Sequence, residues 1–282
     1  MALISVVMAS KNPLKDRLTM AIMSVLNQTF VDFELIIVDD GSNVPIGPLM
    51  SDISNDRRIK LFRIPASGLG AALNHGIQRS CGKYIARIDD DDLMCPKRLQ
   101  KQFNYLEKHP DVSCLGTQIF DKVNNRYRMH RHFPETHDEI VREMLINIRF
   151  QMAHTSLMFR RNSFDKIGGY RILGGGQDAD LILQMSRVGK LANLSEYLTF
   201  YTMSASGLGT VNPNKRKAYL FAFEEILTQN TYPAYEDSIK QSITKLKHQI
   251  AGGEKVAKNI FIRKLLALRV LFLGKEFKFE NM

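Results

Sequence analysis

The sequence predicts an α/β fold, with a mixed, mostly parallel sheet flanked by helices and a helical extension at the C-terminus. Apolar runs rich in Val and Ile alternate with helical patterns along the first part of the chain. Polar or acidic residues follow several of these runs directly, as they do where parallel strands end at a ligand-binding edge. With 282 residues and 44% hydrophobic content, the chain can bury a large core.

The first hundred residues predict four strands and two helices. The strands are predicted over residues 3–8, 34–38, 59–64 and 84–88, and the helices over 18–26 and 69–79. Strands and helices that alternate in this way form βαβ units, whose ligands bind beyond the carboxyl ends of the strands. Residues 1–95 are therefore predicted to be a nucleotide-binding half.

The rest of the chain predicts an acceptor half and a helical tail. Helices are predicted over residues 97–108, 139–148 and 178–188, and strands over 112–120 and 155–159. We assign residues 96–205 to the acceptor half, which completes a domain over 1–205. From about Asn212 the pattern is helical and basic, with breaks at Tyr232-Pro233 and Gly252-Gly253, so residues 206–282 are predicted to form a C-terminal helical region.

Composition restricts the compartment and the partner. The net charge of +10 favours a nucleotide phosphate, an acidic membrane surface or a nucleic acid as partner. The basic residues are dispersed, which argues against a nucleic-acid-binding protein. Cys81, Cys95 and Cys114 lack the spacing of a zinc or redox motif and are expected to be core thiols in a reducing compartment. The N-terminus is typical of a first strand, and no apolar stretch reaches the roughly 20 residues of a membrane span, so a soluble cytoplasmic protein is expected.

Four adjacent carboxylates, Asp89 to Asp92, follow the fourth predicted strand. Such a run repels itself unless a cation or solvent compensates it, and carboxylate oxygens suit Mg²⁺ or Mn²⁺ bridging to a diphosphate. The alternative is a solvated acidic turn that caps the helix beginning near Pro96. The position at the end of a buried strand favours the metal site.

Two other motifs lie at predicted strand ends or helix starts. In the segment Asp39 to Ser42, a carboxylate could accept hydrogen bonds from a base or a ribose, or the segment could be a simple strand-ending turn. Gly68 and Gly70 precede a helix, so backbone N–H groups there could face a phosphate. A tight turn with close helix packing explains these glycines equally well.

Two residues of the second half are candidates for catalysis or acceptor contact. Asp178 begins a predicted helix after Gly174-Gly175-Gly176, where its carboxylate could remove a proton from an attacking hydroxyl. The alternative is a helix N-cap, for which Asp is a preferred residue. His154 precedes a predicted strand and could touch a phosphate or the acceptor, or be a structural hydrogen-bonding residue.

Taken together, these segments resemble the family 2 glycosyltransferases, inverting enzymes of the GT-A fold that include many bacterial polysaccharide and O-antigen transferases. The resemblance extends over about residues 3–205 and depends on the order of its segments, not on any single motif. The matching segments are residues 5–12, 26–30, 33–42, 68–76, 82–92, 96–102, 154–160 and 168–180.

The resemblance implies a role for each candidate residue. The nucleotide would contact Ala9, Ser10, Asn12, Asp39, Asp40, Gly68, Asp89 and Asp90. Asp89 and Asp91 would be the ends of a D-x-D motif that holds Mn²⁺ or Mg²⁺, with Asp91 as the direct ligand. Asp178 would be the general base. On the acceptor side would lie His154, Gly175, Gly176 and Gln177, the last of which stands where the family usually has Glu.

The implied reaction is an inverting transfer of a sugar from a nucleotide diphosphate, by family tendency UDP, to an acceptor hydroxyl, which gives a β-linkage. In the C-terminal region, Lys255, Lys258 and Arg269 share one helical face among leucines, as in helices that lie on anionic membranes. We therefore expect a lipid-diphosphate-linked acceptor, used in surface polysaccharide biosynthesis at the cytoplasmic face of the inner membrane. The alternative for this helix is packing on the catalytic domain.

Two other function classes stay open at this stage. A sugar nucleotidyltransferase shares the α/β fold and an acidic metal site, but it normally has a basic, glycine-rich loop after the first strand, which residues 9–13 do not resemble. A basic nucleic-acid-binding protein would have to bring phosphates to a cleft lined with carboxylates.

Overall fold

The computed structural model describes residues 2–123, 126–202 and 213–251. The strands in these ranges are β1 (Ile4–Ser10), β2 (Phe33–Asp40), β3 (Ile59–Ile64), β4 (Tyr84–Arg87), β5 (Leu93–Met94), β6 (Val112–Val123), β7 (Arg126–Met129), β8 (Met158–Arg160) and β9 (Lys190–Thr202). The helices are α1 (Lys15–Leu26), α2 (Leu69–Gln78), α3 (Arg98–Lys108), α4 (His137–Asn147), α5 (Arg161–Lys166), α6 (Gln177–Val188), α7 (Pro213–Thr228) and α8 (Glu236–Ala251).

All of these strands belong to one mixed sheet, in the order β3-β2-β1-β4-β8-β6-β9-β5, with β7 paired to β6. The first four strands in this order are parallel, as predicted. The antiparallel pairings involve β5, β7 and β8, whereas β6 and β9 run parallel. The predicted fold class, a mixed sheet flanked by helices, is confirmed.

Strands β1 and β2 are buried along their whole length because helices cover both faces of the sheet. Val7 and Ile36 face the helices α2 and α6 in one apolar cluster. Val6 and Leu35 face α1 and α3 in the other cluster. Each such side chain contributes about 1.5–3 kcal/mol by leaving water. This two-sided burial explains why both strands appear in the sequence as nearly continuous apolar runs.

Glu34 is one of three carboxylates buried in β2, together with Asp39 and Asp40 at the end of the strand. Its Oε1 accepts hydrogen bonds from Ser5 Oγ at 2.6 Å and from the Cys81 N–H at 2.6 Å. Its Oε2 accepts one from Lys60 Nζ at 2.7 Å. Burial disfavours the charged form, but the hydrogen bonds from Lys60, Ser5 and Cys81 outweigh it and lower the pKa of Glu34 to about 2.

Replacing Glu34 by Gln is expected to reduce the free energy of unfolding at pH 7 by about 3 kcal/mol, since the pKa shift measures the interaction lost. Folding depresses this pKa, so the stabilisation is complete above pH 4.5 and is lost as the pH falls towards 2. Urea unfolding of the unmodified protein and of Glu34→Gln over this pH range measures the loss of stabilisation. The matched control, Glu224→Gln, breaks an exposed pair with Lys247 and should cost about 0.5 kcal/mol or less. If the difference in unfolding free energy between the unmodified protein and Glu34→Gln does not vary with pH, the low pKa of Glu34 is wrong.

Helices α7 and α8 pack on the sheet domain. Tyr219 and Phe223 of α7 and Leu246 of α8 are buried in the same apolar cluster as residues of α4 and α6. The predicted helical extension is thus confirmed over 213–251, and the predicted break at Tyr232-Pro233 separates the two helices. The domain division at residue 205 stays a prediction.

The predicted basic helix with Lys255, Lys258 and Arg269, and the predicted break at Gly252-Gly253, fall outside the described residues. Among the helices that are described, none is both long enough and apolar enough to cross a membrane.

Several elements differ from the sequence prediction. The strands β5, β7 and β9 and the helix α5 were not predicted, and the strand expected over residues 155–159 begins with a 3₁₀ turn at His154–Ser156. The expectation of three core thiols is wrong for Cys81, which is exposed, and holds fully only for Cys114. Cys81 is at the surface because it lies in the turn between α2 and β4.

Candidate functional site

A cleft of about 780 Å³ opens beside the carboxyl end of β4 and the start of α6. It brings together Asp89, His154 and Asp178 from three separate segments of the chain. Of the other predicted site residues, Gly68, Gly175, Gly176 and Gln177 also line it. The predicted residues outside its lining are Ala9, Ser10, Asn12, Asp39, Asp40, Asp90 and Asp91.

Asp39 is bound on both oxygens by the protein itself. Its Oδ1 accepts a hydrogen bond from the Ser42 N–H at 2.8 Å, and its Oδ2 accepts one from Arg63 Nη1 at 2.9 Å. Burial raises the pKa of Asp39, but these donors outweigh it, so the pKa lies below its ordinary value. The side chain stabilises the turn after β2, as in the alternative of a strand-ending turn.

Asp40 holds the segment that leads into α2. Its Oδ1 accepts a hydrogen bond from the Ser67 N–H at 2.6 Å, and its Oδ2 accepts one from the Gly68 N–H at 3.0 Å. The Gly68 N–H is therefore not offered to a phosphate, which corrects that part of the sequence prediction. Gly68 has a φ of +91°, and a Cβ there would meet nothing within 4 Å, so this turn leaves open space beside the cleft.

The segment after β1 joins the neighbouring strand ends. The Asn12 N–H donates to Ser42 Oγ at 2.8 Å, and Asn12 Oδ1 accepts from the Asn43 N–H at 2.7 Å. Ser10 Oγ donates to Asp90 Oδ2 at 2.5 Å. Ala9 is buried just before this segment. These hydrogen bonds connect the ends of β1 and β2 with the acidic run after β4.

Asp89 is oriented by an arginine beneath it. The buried Arg87 at the end of β4 donates from Nη2 to Asp89 Oδ1, and the Asp89 N–H donates to Thr155 Oγ1 at 3.1 Å. Burial disfavours ionisation of Asp89, but the charge of Arg87 outweighs it, so the pKa of Asp89 lies below its ordinary value. Asp89 is consequently a charged, fixed carboxylate at the edge of the cleft.

Of the remaining acidic residues, Asp91 is surrounded by like charges, and Asp92 is held by a hydrogen bond. Burial and the charges of Asp89 and Asp90 raise the pKa of Asp91 to about 6. Asp92 is fully buried and accepts a hydrogen bond from the Thr202 N–H at 2.7 Å, which connects the acidic turn to the end of β9. Helix α3 has Lys97 as N-cap, without a side-chain capping bond, so the alternative of a solvated helix cap is wrong.

The acidic residues fit a metal ion only in part. Within the described residues, no three or more His, Cys, Asp or Glu side chains are grouped so as to hold one. Mg²⁺ commonly uses one or two carboxylates and takes its remaining ligands from substrate phosphates and water. Asp89 and Asp91 match that pattern, and a cation beside Asp91 would relieve the crowding that raises its pKa.

His154 lines the cleft next to Thr155, whose Oγ1 accepts the hydrogen bond from the Asp89 N–H. Its Nε2 is 2.9 Å from the Tyr170 hydroxyl, and the two rings meet edge to face. Burial and the nearby charge of Arg87 lower the pKa of His154 to about 4, so the imidazole is neutral at pH 7. It is a structural hydrogen-bonding residue, as in the alternative, and it also lines the cleft.

Tyr170 is anchored to α2 through a two-way amide pair. Asn74 Nδ2 donates to the Tyr170 carbonyl at 2.8 Å, and the Tyr170 N–H donates to Asn74 Oδ1 at 2.9 Å. Both hydrogen-bonding groups of the asparagine side chain are thereby used on the backbone of one residue. This pair fixes the loop before α6 to the helix that follows β3.

Asp178 is the second residue of α6, and Gly176 is the N-cap, so the N-cap alternative for Asp178 is wrong. Its Oδ1 accepts a hydrogen bond from the Ala179 N–H at 2.8 Å. The side chain is half-buried and lines the cleft. Asp180, by contrast, is fully buried and accepts a hydrogen bond from Gln184 Nε2 at 2.7 Å, away from the cleft.

The glycine-rich loop before α6 packs tightly against α7. A Cβ at Gly176 would lie 2.8 Å from both Lys215 Cα and Ala218 Cβ, and the φ of Gly176 is +75°. The contact brings Lys215 into the lining of the cleft, with its Nζ 5.3 Å from the centre of the Phe150 ring. Gly176 thus sets how closely α7 approaches the Asp178 loop.

Gly176→Ala is expected to lower the free energy of unfolding by about 1–3 kcal/mol more than a substitution without the clash, because the new methyl group overpacks α7. Gly168→Ala is the matched control, since its φ is +77° and a Cβ there meets nothing within 4 Å. Thermal and urea unfolding of the two variants measure the difference. Equal destabilisation of Gly176→Ala and Gly168→Ala would mean that backbone strain accounts for both losses. Helix α7 would then move away from the new methyl group at no cost in stability.

A family model described as Glycosyl transferase family 2 matches residues 5–168. The chain belongs to this family. An uncharacterized glycosyltransferase of Rickettsia bellii is 29% identical over 76% of this chain and 31% of its own length. The O-antigen biosynthesis glycosyltransferase WbnJ of Escherichia coli is 32% identical over 58% of this chain and 65% of its own length. The chain therefore spans less than two thirds of the length of each of these family members.

The family's fold is matched in solved structures. S. aureus TarS residues 1–349, in complex with UDP-GlcNAc, superposes with a TM-score of 0.70 at 18% identity, covering 88% of this chain and 73% of that chain. The same region of TarS in complex with UDP has a TM-score of 0.68 at 18% identity, covering 91% of this chain and 73% of that chain. The GT-A fold that the sequence predicted is confirmed.

Sequence reasoning missed Lys215, which lines the cleft, and also Arg87 and Tyr170, which hold the lining residues Asp89 and His154 from behind. Arg87 has a detectable signal, because an arginine within a buried strand, two residues before a carboxylate run, needs a buried partner. Tyr170 and Lys215 have no such signal. Lys215 reaches the cleft only through the packing of α7 on Gly176, and Tyr170 touches it only through its contact with His154.

Proposed function

We propose that the chain is an inverting, metal-dependent glycosyltransferase that moves a sugar from a nucleotide diphosphate, with UDP as the nucleotide, to an acceptor hydroxyl. The observation that carries the proposal is that Asp89 and Asp178, from opposite halves of the chain, line one cleft. Membership of family 2 and the binding of UDP-GlcNAc by the structurally similar TarS support it.

Asp178 is the proposed general base. It is placed at the start of α6 with one oxygen held by the Ala179 N–H, which orients the carboxylate for proton transfer. It takes the proton of the acceptor hydroxyl while that oxygen attacks the anomeric carbon from the face opposite the leaving diphosphate. A single displacement of this kind inverts the anomeric centre and converts an α-linked donor into a β-linked product.

The donor is proposed to bind along the ends of β1, β2 and β4. Ala9 to Asn12 and Asp40 lie near the nucleoside, and Asp89 and Asp91 would hold Mn²⁺ or Mg²⁺ together with the diphosphate. A metal held there would neutralise the charge that builds up on the departing diphosphate. Arg87 keeps Asp89 ionised and fixed, so that carboxylate does not have to reorganise during the reaction.

The acceptor is proposed to be a lipid-diphosphate-linked saccharide in surface polysaccharide biosynthesis, reached from the cytoplasmic face of the inner membrane. The relative WbnJ is named for O-antigen biosynthesis, which supports this acceptor class. The net charge of +10 suits a protein that works next to anionic lipids.

A donor screen tests the proposed function. The purified protein is incubated with Mn²⁺ or Mg²⁺ and a panel of nucleotide sugars, with and without a lipid extract, and release of nucleoside diphosphate is measured. We expect metal-dependent release from one donor, enhanced by lipid. Release of pyrophosphate would instead indicate a nucleotidyltransferase, and the absence of both release and metal-dependent nucleotide binding would refute catalysis.

A further inference from the structure

The hairpin of β6 and β7 is strongly basic in its described residues, 120–123 and 126–132. All four residues of β7 are exposed to solvent. The cationic side chains of the hairpin are those of Lys122, Arg126, Arg128 and Arg131. Its single acid is Asp121, whose Oδ2 lies 2.7 Å from His130 Nδ1. Within the described residues, none of the four cations forms an ion pair, so their charge is available to an anionic partner.

The strand register places two of these arginines beside the cleft. Asp121 and His130 line the cleft, and Arg128 is the direct strand partner of Asp121. Side chains of a strand alternate between faces, so Arg126 and Arg128 lie on the same face as His130. On the other side of β6, Tyr201 of β9 is the strand partner of Asp121 and also lines the cleft. The two arginines therefore extend the cleft outward along β7.

The other face of the hairpin is fixed by aromatic packing. The Tyr127 ring lies 4.7 Å from the Phe200 ring, and the Phe120 ring stacks on Phe200 at 4.9 Å. Met129 is the strand partner of Phe120. Aromatic contacts of this kind contribute about 0.5–1.5 kcal/mol each beyond their buried area. They hold the hairpin against β9, so the arginine face is presented in one orientation.

The position of the hairpin distinguishes its partner from the donor. The proposed donor site lies at the ends of β1, β2 and β4, whereas β7 pairs with residues 120–123 of β6, farther along the same edge of β6 that pairs with β8. An anion bound by Arg126 and Arg128 would therefore be a second one, outside the cleft on the side of Asp121. Guanidinium groups bind phosphate oxygens in a bidentate manner, and two of them on one strand face match the span of a diphosphate.

We propose that Arg126 and Arg128 bind the diphosphate that links the acceptor saccharide to its lipid. The saccharide then enters the cleft past Asp121, while the charged linkage stays on the hairpin. The inference rests on the proposed function for the identity of the acceptor. It assigns acceptor recognition to residues that lie within the family-matched segment but contact neither Asp89 nor Asp178.

The test compares the double variant Arg126→Gln/Arg128→Gln with Arg57→Gln/Lys108→Gln, which removes the same charge from exposed positions outside the cleft. Two acceptors are used: a saccharide on a farnesyl diphosphate and the same saccharide as a neutral alkyl glycoside. We expect the hairpin variant to raise the KM for the diphosphate acceptor about tenfold or more, the scale of one lost charge-assisted contact. The KM for the neutral glycoside should change less than about twofold, and the control should leave both KM values unchanged.

Direct binding separates this inference from the proposed function. Calorimetric titration with farnesyl diphosphate needs no donor or turnover, so it reports on the hairpin even if the donor screen finds no activity. Weaker binding by the hairpin variant alone supports the inference. Equal binding by both variants overturns it. Loss of binding only to vesicles containing phosphatidylglycerol, with farnesyl diphosphate binding intact, also overturns it and assigns the hairpin to the membrane surface.

Discussion

Asp178→Asn is expected to lower the turnover number by about 10³-fold, the usual scale for removing a general base. The variant keeps the shape of the side chain, and the amide oxygen can still accept the hydrogen bond from the Ala179 N–H. Binding of the nucleotide sugar should therefore be unchanged. Single-turnover kinetics with the donor found in the screen, together with donor titration, measure the two effects separately.

The matched control for this variant is Asp165→Asn in α5, where an exposed carboxylate lies outside the cleft. It should retain normal turnover. If Asp178→Asn kept near-normal turnover, another group would have to accept the acceptor proton, and the assignment of α6 to the catalytic site would be wrong.

Asp91→Asn is expected to reduce kcat/KM by about 10²- to 10³-fold, since a metal ion at a diphosphate supplies several kcal/mol in the transition state. The amide is a weaker metal ligand than a carboxylate, so metal-dependent binding of UDP should also weaken. Calorimetric titration of UDP with and without Mn²⁺ tests this directly. The control Asp32→Asn changes an exposed carboxylate at the opposite end of β2.

An unchanged response to Mn²⁺ in the Asp91 variant would remove this residue from the metal site. Asp89 would then be the only member of the proposed pair that holds the cation. The variant should fold normally, because the Asp91 side chain makes one long ion pair within the described residues, 3.8 Å from Arg17 Nη1 to its Oδ2. A loss of function without a loss of stability is thus the expected pattern.

The parallel part of the fold could be predicted because its strands are buried on both faces. β1 and β2 have no exposed side chains, so each is a continuous apolar run that ends where polar residues begin. The strand β9 could not be predicted in the same way. Its pairing with β6 shifts register between Thr117 and Gln118 and again before Ile119, which breaks the period-two alternation that identifies a half-buried strand.

The sequence predicted which residues form the candidate site better than it predicted which groups those residues contact. The acidic run and Asp178 carry their chemistry in the side chain, and the structure places Asp89 and Asp178 in one cleft. Asp39 and Asp40 could not be assigned from the sequence, because a carboxylate after a strand can bind either a ligand or the backbone of the next loop. Here both accept hydrogen bonds from the protein's own N–H groups.

The amide pair between Asn74 and Tyr170 limits which segments can be exchanged when chimeras of family members are made. The two residues are 96 positions apart, on either side of the expected boundary between donor and acceptor halves. A chimera that takes its second half from another family member would leave the asparagine facing a backbone of different shape. Such a recombinant should bind nucleotide yet misplace the loop before α6, unless α2 is transferred with it. If the second half selects the acceptor as expected, acceptor preference would have to be transferred together with α2.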